Sequence, residues 1–134
     1  MSRNTKSPVL WIATVWLLGS LAILLLSFSR GPWPDWIGAI YATMILLMSP
    51  VSIAFFWWDK RTARANADSD QQTSRIPEKT LHCLSLAGGW PGAVIGQQYF
   101  RHKSKKTSFR VVLALIAAIH VLAVTAYLWF WFTR

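Results

Sequence analysis

The chain has 134 residues, enough for one domain, and 54% of them are hydrophobic. Fourteen Lys and Arg against five Asp and Glu leave a formal charge of +9, and the single cysteine, Cys83, excludes an internal disulfide and any cysteine-rich zinc site. The apolar residues are bunched in long runs, which points to lipid rather than to a soluble core.

A short basic leader carries Arg3 and Lys6, and Ser7 to Ser29 then runs 23 residues without a charge. That length crosses a hydrocarbon core of about 30 Å. A cleaved signal peptide is the rival reading, but its apolar region is only about 7–15 residues long. An uncleaved first span is therefore expected. Arg30-Gly-Pro-Trp-Pro-Asp35 reads as a tight turn, because two prolines and a glycine stop a helix. Trp36 to Trp58 is a second uncharged run of 23 residues, with Pro50 expected to kink it. Trp33, Trp36, Trp57 and Trp58 suit the headgroup level, and Asp59-Lys60-Arg61 is expected to end the run.

Arg64 to Ser74 is polar and reads as a solvated loop. Pro77 suits the first position of a helix, with Glu78 in the first turn at the positive end of the helix dipole. Gly88-Gly89 should stop that helix, and Pro91 should start another running to about His102. Each is about 11 residues, or roughly 16 Å, half a bilayer. Lys103 to Lys106 is a basic turn, and Val111 to Thr133 is the last long apolar run.

Counting basic residues in short loops sets the orientation. Lys60, Arg61, Arg64, Arg75 and Lys79 lie in one loop, and Arg101, Lys103, Lys105, Lys106 and Arg110 in another. The 29–35 turn has only Arg30, and the C-terminus only Arg134. The leader and both basic segments should face the cytoplasm, the turn and the C-terminus the outside. Leu81 to Phe100 is long enough for a fourth span. Crossing there would carry five basic residues outward and place Gly88-Gly-Trp-Pro-Gly92 at mid-bilayer, where a broken backbone needs protein partners. The expected fold is all-α: one membrane domain over 1–134, three transmembrane helices, and a re-entrant or interfacial helical hairpin inside a motif region at 59–110. Four transmembrane helices are the alternative.

Chemistry, if any, concentrates in that region. Glu78, His82 and Ser85 are spaced to share one helix face, while Gln98, Arg101, His102 and Lys105 form a polar edge on the second short helix. Gly92 and Gly96 make a small-residue face for close backbone approach. A hairpin closed on that face would bring the two polar edges over one groove. Glu78, His82 and His102 are then candidate catalytic residues, with a histidine as general base and cations stabilising phosphate-like charge. The same three could be read as a carboxylate-and-imidazole metal site, but a stabilised helix turn explains the Glu–His pair equally, so neither metal nor cofactor is expected. No nucleophile motif or phosphate-cradling glycine loop is present. Cys83 reads as packing.

Anion binding asks for less. Arg75, Arg101, Lys103, Lys105 and Lys106 would face headgroups or a soluble polyanion, although such runs also serve topology alone. Asp59 is expected to tie the end of the second span to the hairpin through Arg101, Lys106 or another basic residue. His120, near the middle of the last span, is expected to face a neighbouring helix and bond Thr14 or Thr43.

Asp59-Lys60 with Ala63, Arg75-Ile-Pro-Glu78, Leu81-His82, Gly88-Gly-x-Pro-Gly92 and Arg101-His-Lys-x-x-Lys106-x-x-Phe109 together resemble an uncharacterised bacterial family. Its members are small membrane proteins carrying a domain of unknown function, in some fused behind a cold-shock domain. The resemblance spans about Phe55 to Val111. It implies an inner-membrane location and a cytoplasmic motif, and it supplies no catalytic role. The fusions imply nucleic acid nearby, which here would be met through Arg101–Arg110. The expected partners are membrane lipids, an anionic lipid or nucleic acid at the cytoplasmic face, and a second copy of the chain. The function expected is a membrane-anchored binding module, with a membrane-embedded enzyme using the Glu78/His82/His102 groove as the alternative.

Overall fold

The computed structural model describes residues 8–29, 36–68, 76–100 and 106–133. Every element in them is helical: α1 (Pro8–Ser29), α2 (Trp36–Asp68), α3 (Glu78–Leu84), a π-helical turn (Ser85–Gly89), α4 (Trp90–Tyr99) and α5 (Thr107–Phe132). Three of them, α1, α2 and α5, are long and apolar enough to cross a membrane. This is the fold of a multi-pass membrane protein.

One expectation changes in α2. The helix does not end at Asp59-Lys60-Arg61 but continues to Asp68, with Pro50 inside it. Ala63, Arg64, Ala65 and Ala67 are strong helix formers, so the charges end the apolar run without ending the helix. At 1.5 Å per residue α2 is about 50 Å long, and about 15 Å of it lies beyond Trp58. The expected loop at 64–74 thus starts as helix, and residues 69–75 lie outside the described part.

Leu81 to Phe100 is not one straight helix. The break falls at Gly88, whose φ is +109°. That left-handed conformation strains any residue with a Cβ, so glycine is required there. Pro77 sits just ahead of α3 rather than inside it, and Pro91 lies in the first turn of α4, where its missing N–H costs nothing.

The two arms return to the same end of the bundle. At the start of α3, Glu78 meets Lys106 just ahead of α5. At the end of α4, the Phe100 carbonyl accepts a 2.6 Å hydrogen bond from Lys60 of α2. Phe56 of α2 stacks edge-on against Phe109 of α5, while Tyr41 bonds His120, so α2 and α5 run antiparallel. Gly88 lies beside Met44 and Ile45, Gly92 beside Ser49 and Gly96 beside Phe56, so α4 runs parallel to α2. The turn between the arms is level with the middles of α1 and α5 and of the apolar run of α2, through Trp16, His120 and Ile45.

α4 is seated on α2 by matched small residues. A Cβ on Gly92 would overlap the Ser49 backbone, and one on Gly96 would come within 2.9 Å of the Phe56 Cβ. Opposite them, α2 buries Ile45, Ser49, Ser52, Phe56 and Asp59, spaced four, three, four and three apart on one face. Serine fits here because it is small and can satisfy its own hydroxyl. Ser49 Oγ donates 2.7 Å to the Ile45 carbonyl one turn back. Close backbone approach replaces the hydrophobic drive that water would provide.

Candidate functional site

The glycine face does not close the hairpin on itself. Gly92 and Gly96 face α2, and α3 and α4 make little direct contact; α3 packs on α5 and α2, α4 on α2 and α1. Of the groove expected between two polar edges, Arg101, His102 and Lys105 lie outside the described residues. Small residues drew α4 to the nearest equally small surface, and that is the serine face of α2.

Two polar sites result. The first surrounds the turn. The turn is the kink at which α3 passes into α4, broken by the non-helical Gly88. Here Ser85, Gly88 and Gly89 are buried, with Trp90 after them, while Leu86 and Ala87 face outward. Trp90 stands T-shaped to Trp16 at 5.4 Å between ring centroids and stacks on His120 at 6.5 Å. The Tyr41 hydroxyl lies 3.2 Å from His120 Nδ1, and the imidazole also faces the backbone of Ser85 and Leu86. Trp16 lies beside the same Tyr41 hydroxyl. Trp16 Nε1, Trp90 Nε1 and His120 Nε2 are buried without a formed hydrogen bond. One residue from each of α1, α2, α4 and α5 thus meets in a polar knot at the hairpin tip. His120 does face a neighbour, but its partner is Tyr41. Thr14 and Thr43 instead turn back to the carbonyls of Leu10 and Ala39 in their own helices, the shorter reach for a threonine.

The second site is the mouth of the hairpin. Lys106 Nζ donates to both oxygens of Glu78 at 2.8 Å, so this candidate catalytic carboxylate is held in an ion pair. His82 packs its ring 4.4 Å from Phe109. Ser85, the third member of that face, donates to the Leu81 carbonyl and is fully buried. Asp59 is fully buried at the same end. Of its expected partners, Lys106 pairs with Glu78, and the visible tie from α2 to the hairpin runs through its neighbour Lys60. Arg75, Arg101, His102, Lys103 and Lys105 lie outside the described residues. Among the described residues no group of three His, Cys, Asp or Glu side chains could hold a metal ion.

Beside the mouth, Trp57, Lys60, Arg61, Arg64 and Phe100 line a cleft of about 270 Å³. The Arg61 guanidinium lies 5.4 Å over the Trp57 ring, and Lys60 Nζ lies 5.9 Å from the Phe100 ring. Sequence reasoning had used these cations only for orientation. The signal was available in the spacing: 57, 60, 61 and 64 are i, i+3, i+4 and i+7 of one face. It was hidden by ending the helix at Asp59. Tyr41, by contrast, carried no signal, being one aromatic residue in an apolar run.

A bundle of three membrane-length helices braced by a broken, glycine-seated pair is the class of protein that these observations define. Residues 49–109 match the family described as a protein of unknown function, DUF1294. The chain is also similar to the uncharacterised protein YsdA of Bacillus subtilis strain 168, at 31% identity over 80 residues, or 58% of this chain and 83% of that one. The chain belongs to this family. No solved structure matches it. The matched segment begins at Ser49, where α2 first meets α4, and ends at Phe109, which closes the mouth against Phe56 and His82. The family region is thus the hairpin together with the half of α2 that carries it.

Proposed function

We propose that this protein is a bacterial inner-membrane binding module in which the family segment forms a re-entrant hairpin, entering from the cytoplasmic side and presenting its basic mouth to an anionic partner. The N-terminus is then cytoplasmic and the C-terminus periplasmic. One observation carries the reading: both ends of the hairpin meet the Trp57 end of the bundle, while its tip is level with the middles of α1, α5 and the apolar run of α2. An element that enters halfway and leaves by the same side keeps all ten Lys and Arg of 59–110 on one face, as charge asymmetry demands. Irregular backbone at membrane depth needs protein around it, and Gly88 and Gly89, where the helix breaks, are buried against α2.

The basic mouth then stands at the inner headgroup layer, where each cation contributes about 1 kcal/mol of attraction to an anionic leaflet. The test is thiol labelling of intact cells with a membrane-impermeant reagent, using Ser104→Cys in a Cys83→Ala background. Protection until the inner face is opened is the expected result. Labelling from outside would overturn the hairpin and the proposed facing of the mouth.

A further inference from the structure

We infer that the cleft formed by Trp57, Lys60, Arg61, Arg64 and Phe100 is a specific seat for the phosphate of an anionic phospholipid, with that lipid's chains lying along the exposed apolar face of α2. The inference rests on the proposed facing of the mouth and deepens it, by assigning the anion to a site outside the 101–106 run.

The local chemistry is that of a phosphate receptor. Lys60 spends one N–H on the Phe100 carbonyl, which fixes the ammonium in place, and an ammonium has three N–H groups to give. Arg61 is laid over Trp57, which steadies its planar fork and leaves its N–H edges for oxygens. Among the described residues neither Arg61 nor Arg64 has an acidic partner. The buried carboxylate of Asp59 lies two residues from Trp57 and Arg61, on the α2 face turned toward α4. Position selects the source of the phosphate. Trp57 stands at the last turn of the apolar run, where an indole ring marks the headgroup level. Ala54, Pro50 and Leu47, all exposed, continue the face of Trp57 and Arg61 toward the bilayer. A phosphate held at this height with apolar surface directly below it is a phospholipid's phosphate. A nucleic acid or free phosphate would make no use of that lower surface.

The test is a titration of the purified full-length protein in neutral detergent with phosphatidylglycerol, reading the dissociation constant of the first bound lipid by native mass spectrometry. Phosphatidylcholine and inorganic phosphate serve as parallel probes. Tight binding of phosphatidylglycerol over phosphatidylcholine is expected, with little competition from millimolar inorganic phosphate. Arg61→Gln with Arg64→Gln should weaken it about thirtyfold, corresponding to two charges at roughly 1 kcal/mol each. Lys103→Gln with Lys105→Gln should leave it within about twofold. The reverse pattern would overturn the cleft while keeping an anionic partner at the mouth. Equal binding of both lipids by the unaltered protein would overturn both. Displacement by inorganic phosphate or a 20-nucleotide strand at comparable affinity would overturn the lipid assignment. Should the double variant lose its helical signal, Arg64→Gln alone carries the test, since that side chain is exposed, with about a fivefold loss expected.

Discussion

The segment from Gly88 to Gln97 and the helix α5 invert the usual link between apolarity and burial. Gly88–Gln97 includes four glycines, a proline and a glutamine, yet all its residues except Ile95 are buried. α5 is almost wholly apolar, and most of its side chains face outward, with Val111, Leu115, Ile119 and Leu122 among the exposed. In a bilayer the lipid is as apolar as leucine, so nothing drives α5's side chains inward. What packs instead is whatever permits backbones to touch: glycine against serine on α2, and a few aromatic and polar groups at the tip. Hydropathy marks the wall, and small residues mark the joint.

That contrast can be attacked at its strongest point first. Gly92→Ala should cost about 3 kcal/mol, the upper range for overpacking, because the new Cβ meets Ser49 backbone rather than a yielding side chain. Gly19→Ala in α1 is the matched control, since nothing lies within 4 Å of its Cβ. It should change stability by less than about 0.5 kcal/mol. Both are read as midpoints of unfolding in sodium dodecyl sulfate, and equal effects at the two glycines would erase the distinction.

Next comes Gly88→Ala, which forces a Cβ into φ +109° against Met44 and Ile45. It should cost about 1–3 kcal/mol by the same readout. A Gly88→Ala protein as stable as the original would mean that the turn does not need its left-handed residue. Smaller again is the polar knot. Tyr41→Phe, His120→Phe and their double variant should show a coupling of about 0.6–1.7 kcal/mol, the range of hydrogen bonds between membrane helices. Strict additivity would show that the 3.2 Å approach contributes nothing. The smallest effect is expected at the mouth. Glu78→Gln should cost about 0.2–1 kcal/mol, and the loss should shrink as salt is added, because Lys106 is half exposed.

Much of this was legible from residues alone. Two uncharged runs of 23 residues and a third from Val111 to Thr133 can do little but cross a bilayer, and the structure has helices in all three places. The break at Gly88-Gly89 and the short helices on either side were equally readable, since proline and glycine act through local sterics. The small face of Gly92 and Gly96 was recognised, but its target was not. A spacing of four says that backbone can approach and is silent on which surface will do so. The same limit kept the ion pair of Glu78 out of view. Lys106, 28 residues on, reached its carboxylate first.

Local chemistry along the chain therefore determined the elements: where helices run, where they must break, and which stretch carries charge. Only the tertiary arrangement decided the pairings: Gly92 on Ser49, His120 on Tyr41, Lys60 on the end of α4, and the assembly of the Trp57 cleft. The physical reason is range. Propensity, proline sterics and hydropathy act over a few residues, whereas the contacts that build the knot and the cleft join positions 40 to 79 apart, and no local rule ranks one distant partner over another.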